Sequence, residues 1–242
     1  MSNRLKDKVA LITGAGRGIG RAIAQSLAGD GAELVLTART ESELRQTAEI
    51  VEQSGGKPHV IVCDLSEEDS INTLVQTVKS QIGRLDILIN NAGITHSALL
   101  KDTDTPSFDQ CMTINARAPY ILCRECLPLL EKAPNGYIVN ISSVVGVKGY
   151  AKQTAYTASK HALRGMSIAL AEELRETNIR VHVICPGGVE TPMVTRVRPD
   201  IPTDELIAPE EIAELVLYLV THTGNAVVDE LHIRRKTSAP WF

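Results

Sequence analysis

Apolar residues along this chain follow two alternating patterns: short continuous runs, and longer stretches in which they return every three to four residues. The short runs, at Val9–Thr13, Glu33–Thr37, His59–Cys63, Leu85–Ile89, Gly136–Ile141, Ile179–Cys185 and Ala226–Ile233, read as strands. Between them, Ala22, Ile23, Ala24 and Leu27, and then Leu44, Ala48 and Val51 within Glu41–Gln53, recur at helical spacing. Further helices are expected over Glu67–Ile82, Ser107–Leu130, Gln153–Leu174 and Glu210–Val220. Strand and helix taking turns in this way predict one α/β domain spanning residues 1–242.

Three stretches depart from that rhythm. Pro119 and Pro128 are expected to interrupt Ser107–Leu130, and Asn115, a poor helix former, lies in its middle. Gln153–Leu174 is apolar around most of its circumference, so one side is expected on the sheet and the other against a partner subunit. From Pro192 to Pro209 the period is lost, with Pro199 and Pro202 inside, which predicts a mobile segment beside the site. The tail, Arg234 to Phe242, ends in Pro-Trp-Phe and reads either as an anchor or as a frayed end.

The turns between these elements carry the chemistry. The first strand runs into Gly14-Ala-Gly-Arg-Gly-Ile-Gly20 and then a helix. Glycines at such a turn let the backbone approach a ligand, and the N–H groups opening the helix favour a phosphate. The spacing, Gly14-x-x-x-Gly18-x-Gly20, differs from the common G-x-G-x-x-G. After the second strand, Arg39 stands where an acidic residue usually meets the ribose hydroxyls of NAD. Arg39 and Arg17 together are suited to bracket a 2'-phosphate, which points to NADP. Asp64, ending the third strand, either accepts from an adenine amine or caps the following helix, and the two roles are compatible. Asn90-Asn-Ala-Gly93 is a small-residue turn at the carboxyl end of the fourth strand, the edge where ligands collect in a doubly wound sheet.

Tyr156 and Lys160 lie four apart in a helical segment, on one face. An ammonium near the phenol favours its ionised form, so a tyrosine placed this way is expected to exchange a proton with a substrate oxygen near neutral pH. Ser142 or Ser143, on the turn after the fifth strand, is positioned to hold that oxygen.

Composition narrows the partners. A net charge of -4 without a basic stripe excludes nucleic acid. No apolar run approaches a membrane span, and the polar Met1–Lys8 has no signal-peptide core, so a cytoplasmic protein without a membrane partner is expected. The five cysteines lie mostly in apolar runs and read as reduced core thiols, including Cys123 and Cys126 despite their redox-motif spacing; no metal is expected.

In order, Thr13-Gly-x-x-x-Gly-x-Gly20, Asn90-Asn-Ala-Gly93, Asn115, Ser143, Tyr156-x-x-x-Lys160 and Pro186-Gly187 resemble the motif series of the short-chain dehydrogenase/reductase family in its compact form, over about residues 5–233. The resemblance implies a Rossmann-type, doubly wound three-layer sandwich with a seven-stranded parallel sheet. It implies a tetrad of Asn115, Ser143, Tyr156 and Lys160. Tyr156 would donate the proton in reduction and Ser143, thirteen residues before it, would position the carbonyl. Lys160 would tune Tyr156 and bind the nicotinamide ribose, and Asn115 would hold a water in a proton path. Gly14, Arg17, Gly18, Ile19, Gly20, Arg39, Asp64, Leu65, Asn91, Ala92, Gly93, Pro186, Gly187, Val189 and Thr191 would hold NADP(H), with Tyr156 and Lys160 contributing, under a lid at about 188–209.

The activity expected is NADPH-dependent reduction of a small-molecule carbonyl, a 3-oxoacyl group or related ketone, by a homodimer or homotetramer. The enzyme alternative is reduction of 3-oxoacyl groups on acyl carrier protein. Against it stand the short proline-broken lid, the ending Val227-Val-Asp-Glu-Leu-His-Ile-Arg-Arg235, and acids Glu172 and Glu173 on the Tyr156 helix, where an acidic carrier would favour base. An alternative of another class is a non-catalytic module that senses NADP(H), which would have no use for Ser143 and Tyr156 together. His96, Val145 and Tyr150 are expected at the substrate pocket.

Overall fold

The computed structural model describes residues 3–240. The strands are β1 (Val9–Thr13), β2 (Glu33–Ala38), β3 (Lys57–Val62), β4 (Ile87–Asn90), β5 (Gly136–Ile141), β6 (Ile179–Pro186) and β7 (Glu230–Ile233). All pair in parallel, in the order β3-β2-β1-β4-β5-β6-β7. The helices are α1 (Gly18–Gly29), α2 (Glu41–Gln53), α3 (Glu68–Thr77), α4 (Thr105–Met112), α5 (Ala118–Leu130), α6 (Thr154–Glu173), α7 (Pro192–Val197) and α8 (Pro209–Thr221). This is the seven-stranded, doubly wound sandwich expected from the sequence.

Strand period explains why the sheet needs cover on both faces. Ala10 and Ile12 of β1 belong to one core, with Ile23 and Leu27 of α1, Leu44 of α2 and Val216 of α8. Val9 and Leu11, the alternate residues, belong to a second core with Leu74 of α3 and Leu122 and Cys126 of α5. All five residues of β1 are buried, as a central parallel strand requires. The chain winds from β1 outward to β3, then returns to β4 on β1's other side. That reversal opens a crevice beyond the carboxyl ends of β1 and β4.

A buried polar chain crosses the middle of this apolar structure. Asn90 of β4 is register partner to Asn140 of β5. Asn90 Nδ2 donates to Asn140 Oδ1 at 2.8 Å, and Asn140 Nδ2 donates to Ser167 Oγ of α6 at 2.7 Å. The Ser167 hydroxyl then donates to the Leu163 carbonyl at 2.7 Å.

Several boundaries differ from expectation. The Glu67–Ile82 helix is α3 followed by a wide π-helical turn, Val78–Ile82, which closes at Gly83 with φ 74°. The last strand is confined to Glu230–Ile233, because only these residues find partners on β6. Pro119 does not break its helical region. It is the second residue of α5, on a backbone that stays helical through Arg117 and Ala118, and the irregularity is a π-helical turn just before it, Thr113–Arg117, that contains Asn115. Pro128 is accommodated inside α5. The stretch after Pro192, expected to lack structure, holds α7, whose N-cap Thr191 accepts from Val194 N at 3.4 Å, and a 3-10 turn at Thr203–Glu205. Pro192 supplies the fixed φ of a helix start, so proline helps build this segment. Trp241 and Phe242, read from the sequence as either an anchor or a frayed end, lie outside the described residues. No helix of the described residues is long and apolar enough to cross a membrane.

Candidate active site

The floor of the crevice is two turns tied to each other. Gly14 has φ 64°, and a Cβ there would stand 2.9 Å from Ala92 Cα. Thr13, the last residue of β1, accepts from the N–H groups of Asn91 and Ala92, each at 3.0 Å, while Asn91 Nδ2 donates to the Thr13 carbonyl at 2.9 Å. Gly20 lies behind this junction. A Cβ on it would run into the Gly14 carbonyl and come within 2.6 Å of Asn91 Nδ2, so its glycine serves the close packing of helix on turn. The glycine turn thus keeps its backbone bare toward the crevice, a cradle that side chains would fill.

The crevice is a cleft of about 630 Å³. Of the site residues expected from the sequence, all but Gly20, Asp64 and Asn115 line it. Asp64 turns back on its own chain: its Oδ1 accepts from Ser66 N at 2.9 Å and from Ser66 Oγ at 2.7 Å. Those bonds, with the Arg39 charge nearby, hold its carboxyl below the usual range. Arg39 is exposed at the end of the cleft beside β2. Arg17 faces the same end but is engaged there, its Nη1 3.1 Å from Glu43 Oε1.

At the other end, β5 and α6 supply the polar side chains. Ser142 is buried and donates to the Lys160 carbonyl at 3.2 Å, fastening the end of β5 to α6. Ser143, next along, is half-buried, with its hydroxyl accepting from Val145 N at 3.3 Å and lying against the Tyr156 phenol. Lys160 is buried, and its Nζ donates to the Ile141 carbonyl at 2.8 Å. It stands 6.0 Å from the centre of the Tyr156 ring.

These positions correct one expectation. The Lys160 ammonium does not draw the phenol toward ionisation here. Burial pushes Tyr156 up to about 12, with the Ser143 hydroxyl offsetting part of that, and burial pulls Lys160 down to about 8. The cost of stripping water from each group exceeds what they do for one another at this separation.

Asn115 sits behind the Asn91-Ala-Gly93 turn. Its Oδ1 accepts from Ile94 N and its Nδ2 donates to Ile94 O, both at 2.8 Å, and Nδ2 also reaches Ser159 Oγ of α6 at 2.9 Å. It therefore pins the segment after β4 to the Tyr156 helix. Pro119, four residues on, has no N–H to offer the Asn115 carbonyl.

Sequence reasoning missed the far wall. Val145 and Tyr150 line the cleft as expected; His96 does not. Beside them stand Lys148, Arg198 from the end of α7, and Arg234 and Arg235 from the tail beyond β7. The Arg-Arg pair was the available signal, but no period placed the tail against the site. All five cysteines are buried and free, and Cys123 is pushed up to about 12 by burial, as suits core thiols. Among the described residues, Cys185, Glu230 and His232 bring their ligand-type atoms within 4.8 Å of one another. Both Glu230 oxygens already face Arg164 Nε, at 2.9 and 2.8 Å, and that guanidinium opposes a bound cation.

Comparison with known proteins agrees with this geometry. Residues 8–202 match the family model of short chain dehydrogenases. The chain is 35% identical over 236 residues to a 3-oxoacyl-[acyl-carrier-protein] reductase of Thermotoga maritima, covering 94% of this chain and 96% of that one. It is 36% identical over 201 residues to a 3beta-hydroxysteroid dehydrogenase of Mediterraneibacter gnavus, covering 83% and 72%. Among solved structures, a metagenomic short-chain oxidoreductase in complex with NADP superposes with a TM-score of 0.85 at 35% identity, over 97% of this chain and 100% of that one. The chain belongs to the short-chain dehydrogenase/reductase family and is an oxidoreductase of that family.

Proposed function

We propose that this oxidoreductase reduces a small-molecule carbonyl, a 3-oxoacyl group or related ketone, with NADPH. The observation that carries the reading is one continuous cleft with a bare glycine turn at one end and the paired Ser143 and Tyr156 hydroxyls at the other. The bound cofactor supplies the hydride. Gly14, Gly18 and Ile19 would receive its phosphates at the start of α1, and Arg39 its 2'-phosphate, with Arg17 joining if it leaves Glu43. Asn91, Ala92 and Gly93 line the middle of the cleft, while Pro186, Gly187, Val189 and Thr191 would close over it from the lid at about 188–209. An NADP complex of a relative at 35% identity supports that choice of cofactor.

Tyr156 enters the reaction as a phenol. With its value near 12 it is protonated at neutral pH, the form that gives a proton to a carbonyl oxygen as negative charge develops there. Ser143 donates to the same oxygen and fixes its place. Lys160, pulled down to about 8, is mostly an ammonium at neutral pH and a stronger acid than the phenol, so it is suited to return a proton to Tyr156 once that has given its own to the carbonyl oxygen. The Asn115 carbonyl, left without the donor at Pro119, is suited to hold a water on that path.

The partner proposed is a second copy of the chain. Tyr120 of α5 and Ile168 of α6 are more than half exposed, on the side of α6 away from the sheet. Free thiols throughout fit a reducing compartment, the cytoplasm. A second reading, reduction of a carrier-bound 3-oxoacyl group, draws support from the Thermotoga maritima relative. The test is NADPH consumption against free oxo esters, diketones and a carrier-bound 3-oxoacyl group, with Tyr156→Phe alongside. Turnover that vanishes in the variant supports the reductase. Saturation by the carrier-bound substrate far below the free thioester would favour the second reading, and cofactor binding without turnover of any compound would overturn both.

A further inference from the structure

The charges lining the cleft are lopsided. Glu43, at the adenine end, is the single acidic residue among the lining side chains, against seven Arg and Lys. Arg17, Arg39 and Lys160 have uses toward the cofactor. Lys148, Arg198, Arg234 and Arg235 remain, on the segment after β5, the end of α7 and the tail beyond β7.

Arg235 is the best placed of the four. Its side chain is only 17% exposed and seats its Cδ 3.4 Å from where a Cβ of Gly188 would be, directly over the turn that follows β6. A guanidinium carries five N–H donors, and among the described residues only Nη1 is engaged, by Glu205 Oε2 and Thr237 Oγ1, each at 3.2 Å. Glu205 Oε2 also accepts from Thr237 Oγ1 at 2.8 Å, so the clasp ties the 3-10 turn of the lid to the tail. Arg198 is held by Asp200 through Nε and Nη2, and among the described residues Nη1 has no hydrogen-bond partner. Arg234 Nη1 donates to the carbonyls of Arg235, Lys236 and Ser238, folding the tail back on itself. Glu205 answers one end of the Arg235 guanidinium, and its remaining donors, in a cleft where basic side chains outnumber acidic ones, suit an anion that completes it.

We propose that the carbonyl substrate carries an anionic group, a carboxylate or a phosphate, received by Arg235, with Arg198, Arg234 and Lys148 supplying the surrounding positive field. This rests on the reductase reading above and narrows its substrate class. A neutral ketone would use none of the donors that Glu205 and Thr237 leave over. An oxo acid oriented by Arg235 would be held with its carbonyl toward Tyr156 and Ser143.

The test compares 2-, 3- and 4-oxo acids with their methyl esters, and dihydroxyacetone phosphate with dihydroxyacetone, in wild type, Arg235→Gln, Arg235→Lys and Glu205→Gln. The wild type is expected to prefer the anion of at least one pair. Arg235→Gln should cut that preference about ten- to a hundredfold, mainly through KM, because a charge-assisted contact is lost. Arg235→Lys should restore part of it, and Glu205→Gln, which removes the competing carboxylate, should strengthen it. Whichever anion responds to Arg235 identifies the group. Thermal shift of the NADP⁺-loaded protein by the same anions reads binding separately from turnover. Esters reduced as well as acids in a Tyr156-dependent way, with a ratio Arg235→Gln does not move, would overturn the anion site and leave the reductase standing. Anion-dependent stabilisation lost in Arg235→Gln, with no turnover of any compound, would keep the anion site and overturn the reductase.

Discussion

The two ends of the cleft are made differently. The floor of the cleft, at the ends of β1 and β4, is mostly backbone: a glycine turn, an Asn-Ala-Gly turn, and a threonine and an asparagine whose side chains are spent joining the two. The far end is side chain, brought from four separate places: Ser143 after β5, Tyr156 and Lys160 on α6, Arg198 on the lid and Arg235 on the tail. A backbone site recognises what all dinucleotides share, whereas a side-chain site is open to change one residue at a time. The lesson is that cofactor and substrate specificity should come apart under mutation.

The sharpest break is Tyr156→Phe. It should lower kcat by at least about a thousandfold, while NADPH affinity from fluorescence titration stays within about threefold. Equal loss of both would mean that the two ends are one unit.

Lys160→Met comes next, and is read in the cofactor-free protein. A lysine pulled down to about 8 from 10.5 binds fewer protons folded than unfolded between those values. Its cost to stability is therefore full below pH 8, fades as pH rises from 8 to 10.5 and is gone above that. At about 1.4 kcal/mol per unit, removing it should stabilise the protein at pH 6 by at most about 3 kcal/mol, less the lost bond to Ile141 O. The gain should shrink in urea titrations repeated near pH 10. A gain independent of pH would assign it to packing.

Arg39→Asp should shift the ratio of kcat/KM for NADPH over NADH by about tenfold or more toward NADH, with the ranking of carbonyl substrates unchanged. A changed ranking would couple the ends. The smallest effect expected is from Glu43→Gln, which frees Arg17 and should raise NADPH affinity about two- to threefold.

The same division governs how much was legible in the sequence. Val9–Thr13 followed by Gly14 to Gly20 can be read directly, because strand period and glycine spacing are local and the backbone site is built from local turns. Tyr156 and Lys160 are legible for the same reason, being one helical turn apart. Arg235 was not, since its place over Gly188 depends on β7 pairing beside β6 and on the tail turning back, neither of which leaves a period. The lid misled because prolines that usually end structure here begin it: Pro192 opens α7 after Thr191 caps it. The phenol's environment was also hidden, because spacing places Lys160 near Tyr156 but says nothing of the Ile141 carbonyl that holds its ammonium away.

The Asn90–Asn140–Ser167 chain acts as an index mark. Hydrophobic pairing alone would let β4 and β5 slide, but any slide would strand two amides in an apolar interior. The turn after β4, the serines after β5 and the phenol on α6 are therefore delivered in step, and Asn115, inside the 45-residue crossover between Asn90 and Gly136, adds a second tie to α6. Insertions or deletions in that crossover outside Asn91–Gly93 and the Asn115 turn can reshape the protein's outer surface without moving one reacting group relative to another.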